Sequence, residues 1–127
     1  MRRVTGIGGI FFKAADPKAL ADWYKVHLGL KVEDWGGVAF QWAEDNDSGK
    51  GTTVWSPFKA DTTYFAPSTA PFMVNFRVED LHGLLAALRA EGCEVDAKVD
   101  ESEFGKFGWV MDPEGNRVEL WQPPLGQ

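Results

Sequence analysis

Few residues in this chain have the chemical capacity of a reactive centre, and they lie far apart. Glu119 stands in the strand-like segment 117–121, and both histidines, His27 and His82, fall in segments with helical spacing. A lone histidine on a helix is usually a solvated surface residue. Cys93, the one cysteine, has no histidine or lysine close to it in sequence that would activate a thiolate. No nucleophile triad is visible. Glu119 is the one carboxylate in this group of residues, and its role has to be explained.

Two amphipathic helices are predicted to hold the fold together. Asp16-Pro17 and Asp80 are helix-start signals and Gly29 and Gly92 are stop signals, so the helices should cover about 17–28 and 81–91. Apolar residues at spacings of three and four form one stripe on each helix, namely Leu20, Trp23, Tyr24 and Leu28, and Leu81, Leu84, Leu85 and Leu88. Each stripe is expected to pack on a sheet.

The rest of the chain contains β-type segments in an order that repeats. They are Thr5–Ala14, Lys31–Asp34, Val38–Trp42 and Thr52–Ser56, and then Phe72–Val78, Glu94–Val99, Phe107–Met111 and Arg117–Trp121. Each half reads β-α-β-β-β, which predicts an α+β domain of two modules, about 4–57 and 72–123. The segment 57–71 between them is predicted to be a linker. Its aromatic residues are consistent with a lid over a cleft or with simple anchoring of a connector.

Composition limits the classes of function. The chain has 127 residues, 44% of them hydrophobic, which predicts one globular domain. The net charge of −6 includes no run of Lys or Arg, so nucleic acid is not an expected partner. No apolar stretch is long enough for a membrane span. A single cysteine and the lack of a long apolar signal core predict a cytoplasmic location.

The two modules, with Phe76–Leu81 before the second helix and Asp112–Trp121 at the end, resemble the glyoxalase, bleomycin-resistance and ring-cleaving dioxygenase superfamily, the vicinal oxygen chelate fold. The resemblance covers nearly the whole chain and is most specific in the final segment, where the family's Glu, here Glu119, is commonly a metal ligand. It implies one curved eight-stranded sheet, a concave binding face, and both helices on the convex side.

The resemblance also implies where metal ligands would lie, and most of those positions lack a donor. Metal-dependent relatives take His, Gln or Glu from the first and last strands of both modules. Counting back seven residues from the two helix caps gives Gly9 and Met73, and the last strand of module one brings Val54, or Trp55 after a register slip, opposite Glu119. A catalytic divalent metal usually needs three or more protein donors. No metal and no other cofactor is therefore expected.

Strand alternation predicts which residues face the cleft, given that Gly9 and Glu119 do. The candidate ligand-binding residues are Phe11, Met73, Asn75, Arg77, Glu119 and Trp121, with Ile7, Lys13 and Arg117 on the same face. Aromatic, Met and polar side chains together are typical of a pocket for an organic ligand. Arg77, Arg117 or Lys13 is expected to compensate the Glu119 charge; a purely structural charge cluster of these residues is the alternative.

Three functional hypotheses remain open. The first is a binding module that takes a small, partly aromatic molecule in the cleft without a metal. The alternative is a metal-dependent enzyme of the superfamily, a glyoxalase-type lyase or isomerase or a dioxygenase, with Glu119 as one ligand and other donors in a different register. The third is a degenerate domain that serves only in protein assembly. A homodimer is expected, because relatives of this size commonly complete their clefts across a two-fold axis and six Trp exceed what one small core readily covers.

Overall fold

The computed structural model describes residues 3–45 and 51–127. Its helices are α1 (Pro17–Leu28), α2 (Trp42–Asp45) and α3 (Leu81–Ala90). Its strands are β1 (Val4–Ala14), β2 (Val38–Gln41), β3 (Thr52–Lys59), β4 (Phe72–Val78), β5 (Glu94–Val95), β6 (Asp100–Ser102), β7 (Gly105–Met111) and β8 (Arg117–Gln122). No helix in these ranges is long and apolar enough to cross a lipid bilayer.

All eight strands join one curved sheet in the order β2-β3-β1-β4-β8-β7-β5, with β6 paired to β7. β1 and β4 are antiparallel neighbours at the centre. Each also has a parallel partner from its own module, β3 beside β1 and β8 beside β4. The two modules thus repeat one pairing pattern on either side of the central pair, which confirms the predicted α+β fold and its eight-stranded sheet.

Both long helices begin at the predicted signals. The side chains of Asp16 and Asp80 accept hydrogen bonds from backbone amides three residues further on, at 3.0 and 3.1 Å. These bonds satisfy amides that the first helical turn leaves without a partner. Gly29 ends α1 in the left-handed conformation with φ of 71°, and Gly92, with φ of 83°, follows the end of α3.

The two helices pack on the same side of the sheet. The leucine stripe of α3 forms a buried cluster whose members are Val78, Leu81, Leu84, Leu85 and Leu120. Burying one such side chain contributes about 1.5–3 kcal/mol. On the other module, Tyr24 of α1 contacts Trp55 of β3, with ring centroids 4.8 Å apart. The side chains of Trp23 and Leu28, predicted in the α1 stripe, lie outside the described part of the chain.

Two predicted strands differ from the structure. Lys31–Asp34 is not a strand, because the chain turns locally there: the Gly36 amide donates to the Glu33 carbonyl at 2.9 Å, and Gly36 takes a φ of 98°. The predicted strand Glu94–Val99 is a strand only over Glu94–Val95 (β5), and an unpredicted strand, β6, follows at Asp100–Ser102. The modules therefore contain three and five strands rather than four each, while the total stays eight.

β1 does not alternate regularly along its length. Its pairing with β4 shifts register between Val4 and Gly6 and again between Ile7 and Gly9. Such bulges place two successive residues of one strand opposite one residue of its partner. Ile7 consequently pairs with Phe76 on the helix side of the sheet, and the prediction that Ile7 faces the cleft is wrong.

Candidate functional site: an aromatic cavity with a glycine floor

A cavity of about 520 Å³ opens on the sheet face opposite the helices. Five aromatic side chains line it, from Phe11, Trp35, Phe104, Phe107 and Trp121. The polar residues Gln41, Thr52, Asn75 and Gln127 and the acidic residue Glu33 lie among them. A few polar groups in a mainly apolar concavity of this size are typical of sites for small organic molecules.

Two glycines of β1 lie directly beneath residues that line the cavity, namely Asn75 and Trp121 above Gly8 and Phe11 and Val54 above Gly9. Gly8 and Gly9 lie where any β-carbon would collide with the neighbouring strands. At Gly8 the added atom would overlap the Asn75 side chain, and at Gly9 it would lie 2.8 Å from the Val54 carbonyl oxygen. Glycine is therefore required at both positions by close packing.

A second groove, of about 620 Å³, lies beside α1. Its lining is dominated by charged side chains, among them Lys18, Lys25 and Lys59. These groups are well solvated where they stand, so this groove is less suited to an apolar ligand than the aromatic cavity, although it is larger.

Glu119 is buried beside the aromatic cavity, at the centre of β8, with 1% of its surface exposed. Its carboxylate accepts three hydrogen bonds, from Tyr64 Oη at 2.6 Å, Asn75 Nδ2 at 2.6 Å and Trp109 Nε1 at 3.0 Å. All three donors are neutral. Within the described ranges no Lys or Arg lies within 4.0 Å of the carboxylate.

Burial raises the pKa of Glu119 above its ordinary range, and the hydrogen bonds from Tyr64, Asn75 and Trp109 offset this in part. Burial and the neighbouring carboxylate also raise the pKa of Tyr64. Tyr64 therefore keeps its proton at neutral pH and acts as a donor to Glu119.

The cations predicted to compensate Glu119 have other partners. Arg117 forms an ion pair with Asp96 at 3.1 Å and stacks on Trp109, with its guanidinium carbon 4.7 Å from the ring centroid. Lys13 lies over the Phe65 ring at 5.9 Å. The predicted compensation by a cation is therefore not a direct ion pair: three neutral donors from two strands and the linker occupy both carboxylate oxygens, while the Arg117 charge still lowers the pKa of Glu119.

Arg77 lies at one end of the cavity between two indole rings. Its guanidinium carbon is 4.9 Å from the Trp42 ring centroid and 5.4 Å from that of Trp121. Nη1 donates to the Thr52 carbonyl at 3.1 Å. Cation–π contacts with two indole rings and one backbone hydrogen bond hold the side chain in place.

The linker covers the opposite end of the concave face. Phe65 is fully buried in a cluster with Phe11, Met73 and Trp109. Tyr64 stacks on Phe58 with centroids 5.5 Å apart while its hydroxyl reaches Glu119. The linker is thus anchored by its aromatic residues and also closes part of the concave face, so both of the roles considered for it apply.

The predicted ligand-binding residues separate into three groups. Phe11, Asn75 and Trp121 line the cavity. Met73 and Glu119 are buried against the linker aromatics instead, with 1% exposure each. Arg77 stands at the end of the cavity beside Thr52 and Trp121, which line it.

Several cavity residues were missed by strand alternation. Gly8 and Phe104 stand at irregular points of the chain, in a bulge and in a turn. Trp35, which was not among the candidate ligand-binding residues, lines the cavity and is 52% exposed. Phe107, on β7, was available to the same alternation argument, since it pairs with Trp121. The glycine-rich run 6–9 was the clearest sequence signal for an open floor.

The donor set does not fit the metal that the resemblance implies. The register places Asn75, not Met73, beside both Gly9 and Glu119, so counting back from the helix cap was off by two residues. Gly9 pairs with Val54 on its other side. Among the described residues no group of three or more His, Cys, Asp or Glu could hold a metal ion. The four positions at which the superfamily would place metal ligands are Gly9, Val54, Asn75 and Glu119. They supply one carboxylate and one amide, and both carboxylate oxygens already accept hydrogen bonds.

Two paired modules, one curved sheet and a concave cavity opposite the helices define a member of the glyoxalase, bleomycin-resistance and dioxygenase superfamily. More narrowly, the chain belongs to the family described as glyoxalase-like domain, whose model matches residues 9–121. No curated protein matches the chain significantly.

Solved structures share the fold at low sequence identity. Methylmalonyl-CoA epimerase from Mycobacterium tuberculosis has a TM-score of 0.66 and 17% identity, over 98% of this chain and 91% of that one. A variant of the Streptomyces coelicolor epimerase in complex with 2-nitronate-propionyl-CoA has a TM-score of 0.70 and 16% identity, over 98% of both chains. A superfamily member from Vibrio splendidus has a TM-score of 0.55 and 14% identity, over 89% and 95%. At these identities the likeness concerns the fold alone.

Proposed function

We propose that this protein binds a small, partly aromatic molecule in the concave cavity, and that it does so without a metal. The observation that carries the proposal is the cavity itself, about 520 Å³ with five aromatic residues among its lining. Asn75 adds a polar feature, since its Oδ1 is buried with no hydrogen-bond partner. A buried acceptor without a partner is costly, and a ligand donor would relieve that cost.

A screen of planar aromatic compounds tests the proposal by thermal unfolding. A compound at 100 times its dissociation constant should stabilise the folded state by about 2.7 kcal/mol, which raises the unfolding midpoint by several degrees. Failure of every planar compound to shift the midpoint would contradict a binding role for the cavity and favour a domain used only in assembly.

The alternative is an enzyme, since the chain shares its fold with the epimerases named above. Among the described residues, however, no group of three His, Cys, Asp or Glu lies where a metal would bind. We therefore rank binding above catalysis. The proposal extends to a cytoplasmic location, with which the single exposed cysteine, Cys93, is compatible.

We further propose a homodimer formed through the helix side of the sheet. Val4, Ile7, Ile10 and Phe72 on β1 and β4 expose 40–47% of their surface there, between the regions that α1 and α3 cover. A contiguous apolar stripe on a small domain is typical of a protein interface. Light scattering at micromolar concentration should give twice the monomer mass of 14.1 kDa.

A charge in the stripe provides the control for this interface. Ile10→Glu should produce a monomer, whereas Val26→Glu, at an exposed position on α1, should leave the mass unchanged. A monomeric parent protein, or a dimer that Ile10→Glu does not affect, would contradict the proposed interface.

A further inference from the structure

We infer that the cavity selects aromatic molecules that carry a carboxylate, and that Arg77 is the residue that binds this group. The inference rests on the proposed function and narrows its ligand class. Arg77 lies at the end of the cavity, has no carboxylate partner among the described side chains, and is flanked by groups that favour a planar anion.

The position of Arg77 is fixed by residues that belong to the cavity. From β4 the side chain extends over Gly6 of β1, where a β-carbon would lie 4.0 Å from Arg77 Cδ, and reaches the Thr52 carbonyl on β3. Thr52 and Trp121, which hold the guanidinium, both line the cavity. Thr52 and Trp121 thus hold the guanidinium at the end of the cavity, where a ligand would contact the same two residues.

Arg77 has no anionic partner among the described residues. Arg3 and Arg117 each form an ion pair with a carboxylate, at 2.6 and 3.1 Å, whereas among the side chains that the structure describes, which exclude those of residues 44–50, no carboxylate oxygen lies within 4.0 Å of Arg77. The Thr52 carbonyl takes one of the five N–H donors that a guanidinium presents, which leaves about four. Burial lowers the pKa of Arg77, as expected for a cation that has lost solvent and gained no counter-ion.

The flat space around Arg77 favours a carboxylate. Two indole rings lie close to the guanidinium, with centroids 4.9 and 5.4 Å from its carbon, and they leave its N–H edge as the route for a planar group that accepts hydrogen bonds. A planar carboxylate can accept two parallel hydrogen bonds from that edge. Asn75 is two residues earlier on β4, on the same face, with its Cα about 7 Å from that of Arg77, so one ligand of the size of a substituted aromatic ring can contact both side chains. A ring between them would lie over the Gly8 and Gly9 floor.

Matched acids and amides test the inference by isothermal titration. The probes are 4-hydroxybenzoate against 4-hydroxybenzamide, and indole-3-acetate against indole-3-acetamide. The parent protein should bind each acid about 10-fold or more tightly than its amide. Arg77→Gln should lower the affinity for the acids by about 10- to 100-fold and leave the amides unchanged. Arg89→Gln, which removes one positive charge on α3, should bind all four as the parent does.

Arg77→Lys serves if Arg77→Gln does not fold, since it keeps the charge but not the planar fork; it should weaken the acids and spare the amides. Equal affinity of acids and amides for the parent protein would overturn the inference while the proposed binding function stands. Tighter binding of phenyl phosphate than of either acid would overturn the choice of carboxylate. Loss of acids and amides alike in both Arg77 variants would show a structural role, and no binding by any probe would overturn the inference together with the proposed function.

Discussion

Glu119→Leu is expected to lower the free energy of unfolding by on the order of 4 kcal/mol, because it leaves two buried donors and one part-buried donor without an acceptor, at a cost of about 1–3 kcal/mol for each buried one. The donors come from the linker, β4 and β7, through Tyr64, Asn75 and Trp109. A domain of this kind has only about 5–15 kcal/mol of stability in total. Urea denaturation followed by circular dichroism measures the loss.

Glu119→Gln is the matched control and should change the stability by less than about 1 kcal/mol. The carboxamide oxygen can accept from Tyr64 and Trp109, and its amino group can donate to Asn75 Oδ1 once the Asn75 amide rotates; that oxygen has no partner at present. If Glu119→Gln destabilises as much as Glu119→Leu, the charge itself is required and the neutral-donor account is incorrect.

The pH dependence of stability shows further whether the charge of Glu119 is required or whether the neutral donors are sufficient. Burial raises the folded-state pKa of Glu119 above its ordinary value of 4.5, so the folded state binds this proton more tightly than the unfolded state does. The contribution of Glu119 to stability is then fully present below pH 4.5 and is lost as pH rises through the folded-state pKa. Relative to Glu119→Gln, the parent protein should lose stability over that window.

Ala39→Trp is expected to abolish binding of any aromatic compound found in the thermal screen, while the protein stays folded. Ala39 lies on the edge strand β2, pairs with Val54 and lines the cavity. An indole at this position would occupy the space that the ligand needs, and aromatic residues are well tolerated in strands. Isothermal titration with the identified compound measures the loss.

Phe40→Trp provides the comparison for Ala39→Trp, since Phe40 is the next residue of β2, on its other face, and is 47% exposed. It should bind the compound as the parent protein does. Unchanged affinity in Ala39→Trp would place the ligand elsewhere, with the charged groove beside α1 as the next candidate.

Local sequence signals predicted the elements of this fold well. The caps at Asp16 and Asp80 and the stop at Gly29 act within one helical turn, so neighbouring residues are sufficient to place them. Alternation also placed Phe11, Asn75 and Trp121 on the concave face correctly. The short strands were less predictable, because the turn at Gly36 replaces a strand that Lys31–Asp34 alone would favour.

The chemistry of the centre depends on contacts between residues distant in sequence. A bulge at Gly8 changes the parity of β1, and simple strand alternation, which placed Ile7 in the cleft, could not detect it. The partners of Glu119 are 55, 44 and 10 residues away, so the sequence showed that a buried carboxylate needs partners but not which ones. Formal charge alone favoured Arg or Lys as the partner of Glu119. In the structure its partners are the phenol of Tyr64, the amide of Asn75 and the indole of Trp109.

The central claim is that ligand binding in the concave cavity is independent of metal. Its most direct test is one titration, performed with the best compound from the thermal screen on chelator-treated protein and on protein supplemented with Ni, Zn, Fe or Mn, with elemental analysis of the same samples. We predict one binding event per chain with equal dissociation constants in all samples, and no stoichiometric metal in protein purified without an affinity tag. Stoichiometric metal, or binding that is lost on chelation and restored by one of these ions, would contradict the claim and favour the metal-dependent enzyme with Glu119 as a ligand.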